Sequence, residues 1–155
     1  MLTGATGFVG AWALDALLRE TKARIICLVR CECSTEGLQR LREARERFGL
    51  PQSDLGRVTI EVGDLKQKQI GLTNARLDQL AESVDTICHC AAEVNWVASY
   101  AALRDTNVLA VQELLALACR GKTAAFVFLS SLATCYSTDA PIEVSEDADP
   151  EDWFE

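Results

Sequence analysis

The chain has 155 residues, 49% of them apolar and 25% charged, which excludes a disordered chain and gives enough length for one domain with one core. A formal net charge of −8 argues against a nucleic-acid partner, because phosphate backbones select basic faces. The longest apolar runs, such as 25–29, are strand-sized, so no membrane span is expected and the expected setting is cytoplasmic.

Met1 to Thr3 reads as the tail of a strand, and no signal or transit peptide is expected ahead of the glycine turn Gly4 to Gly10. Phe8 to Thr21 reads as an apolar helix carrying Val9, Trp12, Ala13, Ala16 and Leu17. Arg24 to Arg30 is rich in Ile, Leu and Val, the pattern of a strand covered on both faces. Ser34 and Thr35 are candidate caps for a helix reaching Phe48, with Gly49 and Pro51 ending it. Val58 to Val62 alternates as a third strand, closing at Gly63-Asp64, and Thr73 caps a short helix across Leu77 and Leu80. Asp85 to Ala91 gives a fourth strand. A helix with Val108, Leu109, Val111, Leu114, Leu115 and Leu117 follows and stops near Gly121. Ala124 to Ser130 gives a fifth strand.

This alternation predicts an α/β fold: a Rossmann-type doubly wound parallel sheet in three αβα layers. Ligands in such sheets sit beyond the carboxyl ends of the strands. The first strand keeps about three residues where ~5–6 is usual, so the sequence is expected to begin inside its domain. The seven cysteines are odd in number and spread over strands and helices, which fits reduced thiols better than a disulfide frame. Glu143, Glu146, Asp147, Asp149, Glu151, Asp152 and Glu155 crowd the end of the chain, read as a solvated connecting segment.

Glycines 4, 7 and 10 stand at G-x-x-G-x-x-G spacing between a strand and a helix, in the run Thr3-Gly4-Ala5-Thr6-Gly7-Phe8-Val9-Gly10. Gly4 permits the tight turn, Gly7 lets backbone approach a pyrophosphate, and Gly10 lets the helix pack closely on the sheet. The helix N-terminus then offers N–H groups and partial positive charge to phosphates. The second strand ends in Arg30, where NAD sites usually carry an acid for the ribose 2′-hydroxyl. A guanidinium there suits a 2′-phosphate, with Arg40 on the next helix as a second contact, so the expected cofactor is NADPH. Asp64 and Leu65 close the third strand, where a carboxylate can accept from the adenine amino group. Ala91 and Ala92 close the fourth, their small side chains letting backbone lie against the cofactor. Asn107, near the start of the following helix, is placed to cross-link neighbouring backbone, and a hydroxyl of the pair Ser130-Ser131, which ends the fifth strand, can polarise a substrate carbonyl. No metal site is expected: Cys88 and Cys90 alternate to one strand face and His89 to the other, which makes His89 a packed strand residue.

Together these pieces resemble the extended short-chain dehydrogenase/reductases, and more closely the thioester reductase domains. Those are the terminal reductases of nonribosomal peptide and polyketide synthases, carboxylic acid reductases and the aminoadipate reductase of lysine biosynthesis. The resemblance runs from Leu2 to about Tyr136. It includes Leu2 to Gly10, Leu28-Val29-Arg30, Arg40-Leu41, Gly63-Asp64-Leu65, His89-Cys90-Ala91-Ala92-Glu93-Val94-Asn95-Trp96, Tyr100 to Arg104 and Thr106-Asn107-Val108. It implies NADPH-dependent reduction of an acyl thioester, carried on the phosphopantetheine arm of an acyl or peptidyl carrier domain, to an aldehyde or an alcohol. On this likeness Arg30 and Arg40 hold the 2′-phosphate, Asp64 the adenine, Asn107 is the structural asparagine, and Ser131 takes the catalytic Ser/Thr place.

Two departures matter. The family's Tyr-x-x-x-Lys has no counterpart here, since Tyr100 is followed at the fourth place by Arg104 and Tyr136 by Ala140. A helix position often held by glycine is Ala110. Residues 1–155 are therefore expected to be the NADP-binding portion of an incomplete domain lacking its substrate-binding part, binding cofactor and catalysing little. Two other readings share the same cofactor residues: an extended reductase acting on a nucleotide sugar or free carbonyl, and an NADP-binding module without chemistry.

Overall fold

A computed structural model describes residues 1–51 and 54–131, with Ser145 and Asp147. Five parallel strands, β1 (Leu2–Thr3), β2 (Ile25–Val29), β3 (Val58–Val62), β4 (Thr86–His89) and β5 (Ala125–Phe128), form one sheet in the order β3-β2-β1-β4-β5. The helices are α1 (Phe8–Glu20), α2 (Ser34–Arg47), α3 (Asn74–Ser83), α4 (Tyr100–Arg104) and α5 (Ala110–Ala118). The crossovers put α1 and α2 on one face, and the reversal of strand order between β1 and β4 sends later helices to the other, as right-handed connections require. That reversal opens a crevice at the carboxyl ends of the central strands.

The alternation of β2 shows how the two layers are fed. Cys27 and Val29 join Leu2, Leu14, Leu18, Leu41 and Ile60 in one core cluster, beneath α1 and α2. Leu28 points the other way, into a cluster with Ile70, Leu77, Leu80, Ile87, Leu114 and Leu117 beneath α3 and α5. A strand apolar on both faces can only sit in the interior of such a sandwich. Burial pushes the Cys27 thiol up to about 12, so it behaves as a small hydrophobe.

The core face of α1 is Ala11, Leu14 and Leu18, while Val9 and Trp12 are 44% and 47% exposed. The helix is apolar nearly all round, so its pattern does not disclose which side faces inward. Two sequence expectations need correction. Ser34 and Thr35 do not cap α2: Cys33 is the N-cap and supplies no side-chain bond. Instead the Glu36 carboxylate reaches back to accept from the Glu32 N–H at 2.7 Å. The last long helix starts at Tyr100 and passes through a π-helical stretch, Asp105–Leu109, before α5. Asn107 therefore lies within a widened turn, not near a helix start. Thr73 does cap α3, its side-chain oxygen accepting from the Arg76 N–H at 3.2 Å.

Buried polar groups tie the layers. Thr3 Oγ1 and His89 Nδ1 pair at 2.6 Å between the adjacent strands β1 and β4. His89 is 1% exposed and stacks on Phe128 with centroids 5.6 Å apart; its burial holds the imidazole pKa below the ordinary value. On the other face Asp15 of α1 accepts from Arg45 of α2 at 2.7 Å and from Arg19 at 3.0 Å, and Arg45 also donates to the Pro51 carbonyl at 2.8 Å. The carboxyl-terminal acidic run lies outside the described residues, apart from Asp147.

The Asp15–Arg45 pair yields a prediction. Asp15→Ala leaves a guanidinium buried without its carboxylate and should cost about 3 kcal/mol of stability, measured by urea unfolding. The Arg45 guanidinium beside it holds the Asp15 carboxyl below its ordinary value of 3.8. Its stabilising contribution is therefore complete above that value and is lost as pH falls below it toward the folded-state pKa. The stability gap between the wild type and Asp15→Asn should narrow over that acid interval and stay constant above it.

Candidate functional site

The loop from β1 to α1 turns back on itself at Gly4, whose φ of +75° lies in the left-handed region that favours glycine. The Gly7 N–H donates to the Gly4 carbonyl at 2.8 Å and closes the turn. A Cβ on Gly4 would lie 2.6 Å from the Ala91 nitrogen, and one on Gly10 would lie 2.1 Å from the Gly4 oxygen. Gly10 thus packs α1 against the turn itself, rather than against the sheet as the spacing alone suggests. No side chain caps α1 at Gly7, which leaves its N-terminus to whatever lies in the crevice.

A cavity of about 400 Å³ opens there. Gly4, Thr6 and Gly7 form its floor at the turn, and Leu28, Val29, Arg30 and Arg40 its β2–α2 side. Gly63, Asp64, Leu65 and Lys66 come from the end of β3; Cys90, Ala91, Ala92, Glu93 and Thr106 come from beyond β4. The structure therefore gathers Gly4, Thr6, Gly7, Arg30, Arg40, Asp64, Leu65, Ala91 and Ala92 around one space. Phe8, Val9, Gly10 and Asn107 are not in its lining, and Ser131 lies beyond β5, also outside it.

Several of these groups are held in place. Arg40 reaches along the cavity wall to donate to the Arg30 carbonyl, which couples the two arginines. One Asp64 oxygen accepts from the Lys66 N–H at 3.0 Å, and the Asp64 N–H donates to the Ile70 carbonyl at 2.9 Å. The latter bond depends on a left-handed turn at Gln69 and Ile70, with φ of 56° and 52°. An Ile in that region is strained, and its burial at 1% exposure is what holds it there. Asn107 cross-links backbone: its Oδ1 accepts from the Glu93 N–H at 2.8 Å and its Nδ2 donates to the Glu93 carbonyl at 3.0 Å.

Sequence reasoning assigns no role to Lys66, Glu93 or Thr106. Lys66 Nζ lies 2.7 Å from Glu93 Oε2, and Thr106 Oγ1 donates to the same oxygen at 3.2 Å. These contacts join segments far apart in the chain, so no local pattern announces them. Lys66, first among its partners, holds the Glu93 carboxyl below the ordinary range, and the positive charge of Arg30 adds to the effect. Among the described residues no cluster of His, Cys, Asp or Glu is arranged to hold a metal ion, and no helix is long and apolar enough to cross a membrane.

The profile of the NAD-binding family described as "Male sterility protein" matches residues 2–153. The chain belongs to this family. It is 41% identical over 154 residues to a linear gramicidin synthase polypeptide of Brevibacillus parabrevis, a match covering 97% of this chain and 3% of that protein. It is 36% identical over 135 residues to the L-2-aminoadipate reductase large subunit of Candida glabrata, covering 84% of this chain and 10% of that one. Among solved structures, the terminal R domain of the myxalamid PKS-NRPS pathway superposes with a TM-score of 0.84 at 37% identity, over 92% of this chain and 39% of that domain. The chain thus spans well under half the length of each of these relatives. The family has a Rossmann-like fold and binds a nicotinamide cofactor, and its relatives include an aminoadipate reductase and the terminal R domain of a PKS-NRPS pathway.

The Asn107 clamp can be checked directly. Asn107→Ala removes both bonds to Glu93, so the Glu93 amide should exchange with solvent at least about tenfold faster in hydrogen-exchange measurements, while amides of β2 keep their protection.

Proposed function

We propose that this chain is the NADPH-binding portion of a reductase domain that reduces a carrier-bound acyl thioester to an aldehyde or an alcohol. The observation that carries the cofactor assignment is the convergence of Arg30 and Arg40 on the cavity beyond β2, where an NAD-selective site has a carboxylate. The residues present fit such a group. The uncapped N-terminus of α1 and the side-chain-free backbone at Gly7 leave room and N–H groups for a pyrophosphate.

In this reading the backbone of Gly4, Thr6, Gly7, Phe8 and Val9 receives the pyrophosphate, with Gly10 holding the helix against the turn. Arg30 and Arg40 bind the 2′-phosphate, Arg favouring bidentate contacts. Asp64 and Leu65 take the adenine, Ala91 and Ala92 let the chain lie flat against the ribose side, and Asn107 fixes the loop that carries them. When bound, the nicotinamide supplies the hydride. Ser131 donates a hydrogen bond to the thioester carbonyl oxygen and stabilises the negative charge that develops on it. Proton donation falls to none of these residues, because the sequence holds no Tyr-x-x-x-Lys.

The thioester and its phosphopantetheine carrier are supported by the likeness to a gramicidin synthase and to the myxalamid terminal R domain. The test of the cofactor assignment is thermal melting of this chain with NADPH, with NADH, and with both after Arg30→Ala. At about 100 times its dissociation constant a ligand should stabilise by ~2.7 kcal/mol. A shift with NADPH that exceeds the NADH shift and disappears in Arg30→Ala is the expected outcome. Equal shifts with both cofactors would remove the phosphate role of Arg30.

A further inference from the structure

We infer that Lys66 and Glu93 form a latch that closes over the adenosine half of the cofactor and slows its release; the inference rests on the cavity holding a dinucleotide. β3 and β4 are not neighbours, since β2 and β1 lie between them. Three inter-strand spacings of ~4.8 Å separate their axes by about 14 Å. Yet Lys66, just past the end of β3, and Glu93, just past the end of β4, meet at 2.7 Å. The two side chains therefore reach toward each other across the ends of β1 and β2. Both residues line the cavity, so the ion pair belongs to its wall and is not a surface contact elsewhere.

The two halves of the bridge are unequally held. Asn107 holds the Glu93 backbone at both its N–H and its carbonyl, and Thr106 binds its carboxylate. The π-helical stretch Asp105–Leu109 widens the turn, and Thr106 and Asn107 both reach Glu93 from it. Glu93 is therefore a fixed catch. Lys66 has a backbone braced by Asp64, but its side chain is 43% exposed and is held at its tip, by the Glu93 carboxylate. A long flexible stem with a point charge at its tip can leave the carboxylate, admit a ligand and return. Because the bridge joins the loops after β3 and β4 and not the end of β2, it acts on either nicotinamide dinucleotide, with or without the 2′-phosphate.

The test is stopped-flow release of NADPH, and of NADH at the higher concentration it needs, from wild type and from Lys66→Gln, Glu93→Gln and the reversed pair Lys66→Glu with Glu93→Lys. Each single variant should release both cofactors about fivefold faster, by the same factor for the two, and the reversed pair should recover most of the loss. Lys66→Gln keeps the anchored Glu93 and changes only an exposed side chain, so a folding defect does not obscure it. Unchanged release in both single variants overturns the latch while leaving the cofactor site intact. Tighter NADPH binding in Glu93→Gln, without a change for NADH, also overturns it, because Glu93 would then be competing with the phosphate for Lys66 and Arg30. A wild type that binds neither dinucleotide overturns the underlying reading of the cavity, and the latch with it.

Discussion

The peptide at Gly4 is gripped from two sides, and the architecture of the crevice follows from that grip. On one side Gly10 brings the first turn of α1 so near the Gly4 carbonyl that a Cβ would sit 2.1 Å from it; on the other the Ala91 backbone approaches where a Gly4 Cβ would be. Neither approach leaves room for a side chain, so the spacing of glycines is a steric requirement before it is a binding motif. The consequence is positional. α1 starts at the switch point of the sheet with its N–H groups facing the crevice, and the loop after β4 is drawn to the same spot. A ligand that enters meets backbone from two elements at once, which suits a flat, phosphate-bearing molecule.

Much of this is legible in the sequence because it is local or repetitive. The apolar runs of β2 and β3, the glycine turn and the Thr73 cap each announce themselves within a few residues, and alternation of strands and helices then limits the topology to a parallel sheet. What stays hidden has two physical origins. In the left-handed turn at Gln69 and Ile70 and the π-helical stretch at Asp105–Leu109, tertiary packing overrides local preference; no propensity favours φ > 0 at an isoleucine. The Lys66–Glu93–Thr106 cluster depends on a loop-to-loop approach across strands that are not adjacent. The inward face of α1 escapes the sequence for a third reason: with Phe8, Val9 and Trp12 on its exposed side, the helix shows no polar face to mark the solvent.

An acidic chain that binds a polyanion is an apparent conflict, resolved by where the charges are. The net charge of −8 is a property of the whole sequence, whereas a ligand responds to charges within about a Debye length, ~8–10 Å. At the cavity the second strand ends on Arg30 rather than on a carboxylate, Arg40 is fastened beside it, and the helix dipole of α1 adds positive character. Of the two carboxylates present, Asp64 is partly occupied by the Lys66 N–H and Glu93 is neutralised by the Lys66 ammonium. Lys66 is thus bound to both negative groups of the cavity, one through its backbone and one through its side chain. Without it, Glu93 would add negative charge to a cavity that takes a pyrophosphate, a cost common to both dinucleotides. The same lysine that bridges the crevice therefore also keeps it receptive to anions, and the two effects share one origin in the meeting of the β3 and β4 loops.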